Sequence, residues 1–242
     1  MSQFSIVAHR GASSYATDNT LTSFRLAKQQ GAHMIETDIR RTLDGKALVF
    51  HDTTIPIPGE CEQRVERLTL DTLLKIPLAN AERIPQWEEV IALCVELDMG
   101  IYVEFKDTDA AVTTYVVQTL QAAKLLDRCV LFGPRPDHVF FAKQVDPNAR
   151  TAFSYRNASI DPILIARACN ADGLNLAWED YLDPCALITP EWLGRVRAAG
   201  LRIMSWHEER EPIMAQLVAI GIEDLCTNDP AMTRRVIERA QH

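Results

Sequence analysis

The sequence has no basic run, no CxxC pair, no internal repeat and no apolar stretch long enough to cross a bilayer. Each absence removes a class of function. Proteins that bind nucleic acid in general cluster Lys and Arg against phosphate. Here 25 Lys and Arg stand against 33 Asp and Glu, a formal net charge of −8, so no nucleic-acid partner is expected. The six cysteines (Cys61, Cys94, Cys129, Cys169, Cys185 and Cys226) are scattered singly, which argues against a zinc knuckle or a thioredoxin-type pair. They read as small core residues of a reducing compartment. A membrane-spanning helix needs about 20 consecutive apolar residues, and the opening MSQFSIVAHR lacks a basic segment followed by an apolar one. A cytoplasmic protein without a stable membrane anchor is expected. Oligomeric state is left open.

What remains is ordinary globular composition. Of 242 residues, 47% are hydrophobic and 24% charged, enough apolar material for a large core without staples. The length suits one α/β barrel of about 250 residues, or two small domains of about 100–150 each; we read 1–242 as a single catalytic domain.

Short β-rich runs alternate with amphipathic stretches. The strand candidates are Phe4–His9, Met34–Asp38, Ala47–His51, Ile101–Phe105, Cys129–Phe132, Thr151–Ser154, Gly173–Leu176, Arg202–Ser205 and Asp224–Thr227. The intervening NTLTSFRLAKQQG and QWEEVIALCVELDMG end in Gly31 and Gly100, plausible helix stops. Such alternation implies parallel strands. The second and third candidates are separated by only about eight residues containing Asp44-Gly45, a hairpin signal. A parallel crossover needs about a dozen or more. Ala47–His51 is therefore expected to run antiparallel, beside the mouth of the remaining eight strands. That count favours a (β/α)8 barrel, although counting alone does not separate it from a doubly wound open sheet. Residues 52–81 hold three prolines, one glycine and mixed charge, with a short helix expected around Leu70–Lys75. We expect a small insertion there, beside the site.

Polar residues gather at the expected strand ends. His9-Arg10 closes the first strand. Glu36 and Asp38 close the second at i and i+2, so they share a face. His51-Asp52 ends the excursion, and Glu104 and Lys106 end the next strand with the same spacing. In an α/β barrel these ends converge on one mouth. Three carboxylates from two strands suit a hard divalent cation. Two imidazoles suit proton transfer near neutral pH, and Arg10 and Lys106 suit an anion. Each piece alone has an ordinary explanation: a locally satisfied His, a capping or salt-bridge ExD pair, alternating charge on a solvated face. Together they describe phosphoester chemistry.

The segment AHRGASSYATDNTLTSFRLAKQQGAHMIETDIRRTLDGKALVFHD resembles the opening of the glycerophosphodiester phosphodiesterase family. The signature comprises HRG, an acidic-Asn-Thr step into the first helix, ExD, a T-x-DG turn and a strand ending in HD. RIPQWEEVI, YVEFK, the strand-end Trp206 and LCTNDPA continue the likeness, which spans roughly residues 6 to 232. The resemblance implies a TIM barrel with a small insertion after the HD strand. It implies that Glu36, Asp38 and Glu104 bind one divalent cation, Mg2+ or Ca2+ with Mn2+ as a further candidate, and that His9 and His51 form the acid–base pair. Arg10 and Lys106 would contact the phosphate, and Trp206 the alcohol part of a small-molecule substrate. The reaction implied is hydrolysis of a glycerophosphodiester to sn-glycerol 3-phosphate and an alcohol.

Three departures stand out. Thr17-Asp18-Asn19 replaces a step that usually carries Glu after Pro. His207-Glu208-Glu209 replaces T-x-N after the Trp; its simplest reading is acids at a helix N-terminus. The insertion lacks the family's basic, Gly-rich sequence. Two other functions are weighed against the leading one. A lysophospholipase D or sphingomyelinase D-like enzyme would need an apolar ramp for an acyl chain, and the insertion offers Ile55 and Ile57 and little else. A non-catalytic barrel that binds phosphodiesters or polyols would be expected to have lost a metal ligand or histidine.

Overall fold

The computed structural model describes residues 4–59, 61–205 and 207–240. The first part of the chain runs β1 (Ser5–Ala8), α1 (Leu21–Gln29), β2 (Met34–Arg41), β3 (Ala47–Val49), β4 (Thr54–Ile55), β5 (Gln63–Arg64), α2 (Leu70–Leu73) and α3 (Trp87–Glu96). Strict alternation follows: β6 (Gly100–Phe105), α4 (Ala110–Ala122), β7 (Cys129–Gly133), α5 (Pro136–Val145), β8 (Thr151–Tyr155) and α6 (Pro162–Cys169). It ends with β9 (Gly173–Leu176), α7 (Pro190–Ala198), β10 (Arg202–Ser205), α8 (Glu211–Ile220), β11 (Asp224–Thr227) and α9 (Pro230–Ala240).

Eight strands pair in parallel in the order β1-β2-β6-β7-β8-β9-β10-β11, and β11 pairs back onto β1. The sheet is a closed (β/α)8 barrel. An open doubly wound sheet would leave β1 and β11 unpaired with each other; instead Ser5 to Ala8 lie in register with Asp224 to Thr227. The ninth strand, β3, runs antiparallel to the far end of β2, with Ile39 opposite Val49 and Arg41 opposite Ala47. It stops two residues short of His51, so the HD pair sits on a loop rather than in a ladder.

Residue alternation along the strands sorts the core into two layers. Outward residues such as Ile35, Ile101, Val103, Phe105 and Leu131 pack under the helices, each contributing about 1.5–3 kcal/mol by full burial. Inward residues Val7, Tyr102, Phe132, Ala152, Met204 and Cys226 fill the lower barrel. Tyr102 donates its hydroxyl hydrogen to Asp224 Oδ2 at 2.7 Å, and Arg202 reaches the same carboxylate. The interior is thereby filled at the N-terminal ends of the strands, and the carboxylates Glu36, Asp38 and Glu104 lie toward the opposite mouth.

The insertion after β3 is more ordered than its composition suggests. β4 and β5 form a two-stranded sheet, and Leu48, Ile55, Val65, Leu73, Ile76 and Ile84 make a buried core of their own. The Thr42–Lys46 turn anchors it. Thr42 Oγ1 donates to Asp44 Oδ1 at 2.6 Å, Gly45 takes the left-handed backbone the turn demands, and Asp44 Oδ1 accepts the Leu70 amide at the start of α2. Ile55 is fully buried and Ile57 packs against this core, so neither forms an exposed ramp.

Gly11 shows how tightly the β1–α1 turn is drawn. Its φ is +87°, and a Cβ there would lie 2.3 Å from Ser23 Oγ and 2.6 Å from the Ser23 carbonyl carbon. Gly194, on the exposed side of α7, has open space around it. Gly11→Ala should destabilise the fold by about 2 kcal/mol or more, through strain and overpacking together, whereas Gly194→Ala should stabilise it by about 0.5–1 kcal/mol. Urea unfolding of the two variants checks the contrast; equal effects would show that the turn relaxes around an added methyl.

Candidate active site

The mouth is assembled from the ends of β1, β2, β6 and β11 and the loops after β3 and β10. At the end of β1 the chain makes a sharp turn. Arg10 has a left-handed backbone (φ 55°), Gly11 follows, and the Gly11 amide donates to Ala8 O. The Arg10 amide then points at Glu36 and donates to its Oε2 at 3.1 Å. Ser23, in the first turn of α1, donates its hydroxyl hydrogen to Arg10 O at 2.9 Å. The HRG motif is therefore a turn that directs His9 and Arg10 inward while α1 closes down on Gly11.

Glu36, Asp38 and Glu104 meet. They are 0%, 0% and 2% exposed, and one carboxylate oxygen from each lies within 4.8 Å of the others. Lys106 Nζ sits 2.6 Å from Glu104 Oε2 and 3.1 Å from Asp38 Oδ1, and Arg10 Nε is 3.4 Å from Asp38 Oδ2. Asn19, itself in the left-handed region, donates Nδ2–H to Asp38 Oδ2 at 2.8 Å and accepts from Thr37 Oγ1. The charges do not settle evenly. Burial and the neighbouring Asp38 and Glu104 raise Glu36 well above the usual carboxylate range. Burial and Asp38 push Glu104 up to about 7 against the pull of Lys106. Burial works against charge on Asp38 as well, but Lys106, Arg10, His51 and the Asn19 amide outweigh it and hold Asp38 below the normal range.

His9 is 4% exposed. Its Nδ1 lies 2.7 Å from Asn228 Oδ1, just beyond β11, and its Nε2 lies 4.0 Å from Glu36 Oε2. A carbonyl oxygen facing Nδ1 places the ring proton there and leaves the Nε2 lone pair directed into the site. His51 is partly exposed, with Nδ1 2.7 Å from Asp52 Oδ1. Arg40 donates Nε–H to the His51 carbonyl at 2.6 Å and pairs with Asp107 at 2.7 Å, so β2 holds the HD loop in place. Burial lowers both histidines below their ordinary value, helped by the Arg10 charge in each case. Trp206 lies outside the described residues. Asp18 accepts from Arg10 NH1 at 3.3 Å, so the shorter acid of the Thr17-Asp18-Asn19 step still reaches the mouth. His9, Arg10, Asp18, Asn80, His207 and Asn228 line an open cleft of about 670 Å3.

The three residues after Trp206 part company. Glu208 behaves as an acid near a helix start: its Oε1 accepts the Glu209 and Arg210 amides at 3.0 and 2.8 Å, and it pairs with Arg210. His207 instead stacks on His9, ring centroids 4.4 Å apart and planes 3° from parallel. Glu209 folds onto the end of β11, accepting the Asn228 amide at 2.5 Å and the Thr227 hydroxyl; burial pushes its carboxyl up to about 7. Asn228 and Glu209 are the contributors that sequence reasoning leaves without a role. The only signal for Asn228 is its place in the TNDP segment.

Residues 9–232 match the glycerophosphoryl diester phosphodiesterase family. The chain belongs to that family. Among curated relatives, the glycerophosphodiester phosphodiesterase of Caldanaerobacter subterraneus is 23% identical over 93% of this chain and 94% of its own. Glycerophosphodiester phosphodiesterase 1 of Bos taurus is 26% identical over 84% of this chain and 71% of its own. Solved structures share the fold: a glycerophosphodiester phosphodiesterase from Agrobacterium tumefaciens superposes with a TM-score of 0.81 at 20% identity, covering 96% and 100% of the two chains. An Oleispira antarctica phosphodiesterase in complex with the product sn-glycerol-3-phosphate gives 0.85 at 20% identity, covering 97% and 96%. In this chain the HRG, ExD, HD and ExK residues are the turn, strand ends and loop at the barrel's mouth.

The donor set fits a divalent cation. All three donors are carboxylates, Glu36 Oε1 is buried with no hydrogen-bond donor, and hard oxygen donors suit Mg2+ or Ca2+. Cation binding needs ionised ligands. Because Glu36 and Glu104 sit high without a cation, affinity should rise with pH through about 7, where Glu104 titrates, with protons released on binding. Glu36→Gln, Asp38→Asn and Glu104→Gln should each weaken binding at least about tenfold, as loss of metal-site groups commonly does. Calorimetric titration with Mg2+ and Ca2+ in buffers of different ionisation enthalpy reads both effects. Unchanged affinity in all three variants would place any cation elsewhere.

Proposed function

We propose that this chain, acting as one catalytic unit, hydrolyses glycerophosphodiesters to sn-glycerol 3-phosphate and an alcohol. In this reading one divalent cation is held by Glu36, Asp38 and Glu104, and His9 and His51 form the acid–base pair. The observation that carries the reading is the meeting, at one mouth of a barrel of this family, of three buried carboxylates with Lys106, Arg10 and a histidine whose Nε2 faces inward. Relatives named for this activity, and a neighbour of the same fold that holds sn-glycerol-3-phosphate, support the substrate class.

Charge supports it too. Lys106 and Arg10 offset two of the three carboxylates. A divalent ion would turn the remaining negative charge into a positive one, the complement of a phosphodiester monoanion. When bound, such an ion supplies Lewis-acid polarisation of the phosphoryl oxygens. Arg10, on the wall of the cleft, holds the phosphate through its guanidinium, and Lys106 adds a point charge below it. His9 Nε2 takes the proton of the nucleophile, either water or the substrate's glycerol 2-hydroxyl. His51, held at Nδ1 by Asp52, delivers a proton from Nε2 to the leaving alcohol oxygen. If the 2-hydroxyl attacks, the phosphorus–alcohol bond breaks as the ring closes. Water then opens the cyclic phosphate with the two histidines exchanging roles.

The product alcohol is read as small and water-soluble. The apolar residues of the insertion are spent on its own core, so nothing there favours an acylated substrate. A cytoplasmic setting belongs to the same reading, and rests on six cysteines that are all free thiols. Among the described residues no helix is long and apolar enough to cross a membrane.

Turnover should appear with choline, ethanolamine, glycerol or inositol diesters, measured as released glycerol 3-phosphate with Mg2+, Ca2+ or Mn2+, and EDTA should abolish it. His9→Ala and His51→Ala should each lower the rate by about 10²–10⁴. Activity within about tenfold of wild type in both variants would reject the acid–base assignment. Faster release from lysophospholipids than from soluble diesters would move the substrate class, and no metal-dependent turnover at all would leave a binding protein.

A further inference from the structure

The loop after β10 departs from the family pattern, and there His207 is drawn against His9 at the barrel mouth. We propose that His207 is a positioning residue: its ring holds the His9 imidazole by stacking, while Asn228, held by Glu209, decides which His9 nitrogen carries the proton. The inference rests on the reading of His9 as a proton carrier and adds what keeps it in place.

Three contacts carry it. First, the two rings lie almost parallel, 3° apart, at a centroid distance of 4.4 Å. A ring attached only at its Cβ can rotate about χ1 and χ2; a second flat ring over its face leaves sliding as the only low-cost motion. Second, Asn228 Oδ1 engages the edge of His9 at Nδ1, 2.7 Å away, and Ser13 Oγ lies 2.8 Å from that same oxygen. Face and edge are therefore fixed by different elements, the loop after β10 and the segment after β11. Third, the two supports are tied to each other. Glu209 Oε1 accepts the Asn228 backbone N–H at 2.5 Å, and the Glu208 backbone N–H donates to Cys226 O at 3.0 Å. Glu208 in turn binds Arg210, whose NH1 donates to Tyr181 O at 2.9 Å. His207 thus projects from a braced loop rather than from a mobile rim. The rival role is contact with the substrate alcohol through the His207 ring nitrogens, since His207 lines the same cleft.

Two variants separate these. His207→Phe keeps a flat ring and removes both nitrogens; His207→Ala removes the ring. Positioning predicts that His207→Ala lowers kcat by about 10–100-fold, the cost of a misplaced catalytic group, with KM within about twofold and the thermal midpoint unchanged. His207→Phe should recover kcat to within about threefold, because aromatic stacking survives. A substrate-contact role predicts the reverse: both variants raise KM alike, and Phe rescues nothing. Nitrogen NMR of 15N-histidine-labelled protein gives a reading independent of turnover. His9 should show the Nδ1–H form in wild type and in His207→Phe, and averaging between the two tautomers in His207→Ala and in Asn228→Ala. An unaltered His9 signal in His207→Ala, or kcat unchanged in that variant, overturns the proposal. Wild-type protein that shows the NMR pattern but hydrolyses no diester would instead overturn the reaction, so the two failures are told apart.

Discussion

Three carboxylates share a few ångströms at the centre of this molecule, nearly shut off from water, and everything around them manages that repulsion. Glu36, Asp38 and Glu104 cannot all hold a full charge in a dry barrel without cations against them. Lys106 and Arg10 supply two, and their approach is specific rather than diffuse: each lies against Asp38. Asp38 consequently carries its charge easily while Glu36 and Glu104 hold protons more tightly. The site is thus short of positive charge in a defined place, where three carboxylate oxygens could hold a cation. A lone pair of acids, or three acids with three resident cations, would have no such appetite.

The same constraint explains why the supporting residues are where they are. Asn19 spends its amide on Asp38, and Thr37 orients Asn19. Arg40 does not join the acids although it follows Asp38 on the same face of β2; it is committed to the His51 carbonyl and Asp107. The barrel's other wall, built from β7 to β9, turns Ser154 and Asn175 inward, hydrogen-bonded to each other, and carries the Arg156–Glu179 pair beyond the strand ends. The carboxylates and the cations that face them come from adjacent strands of the ring.

Much of this is legible in the order of the residues. The i and i+2 spacing of Glu36 with Asp38 and of Glu104 with Lys106 requires a shared face on extended chain, and the closed barrel brings β2 and β6 side by side with Asp38 opposite Glu104. The short link between β2 and β3 requires an antiparallel turn, and one is present. Other features leave no local trace. The insertion's core is spaced irregularly between prolines, so no 2- or 3.6-residue period announces it. Glu208 and Glu209 read alike in sequence, as acids before a helix, yet one caps backbone amides and the other reaches across to Asn228. Asn228 itself stands 219 positions from the histidine it serves, a separation over which spacing carries no information.

That separation has a consequence for how the molecule comes into being. His9 follows β1, and Asn228, which faces it, follows β11, the strand that closes the ring onto β1. Until β11 docks on β1 the barrel is an incomplete, curled sheet with two raw edges, and His9 is a surface histidine like any other. Contacts this distant in sequence slow folding, and the pairing that closes the ring is also the one that brings Asn228 to His9. A chain whose ring is not closed would therefore lack the contact that faces His9 Nδ1, whatever else of the sheet had formed.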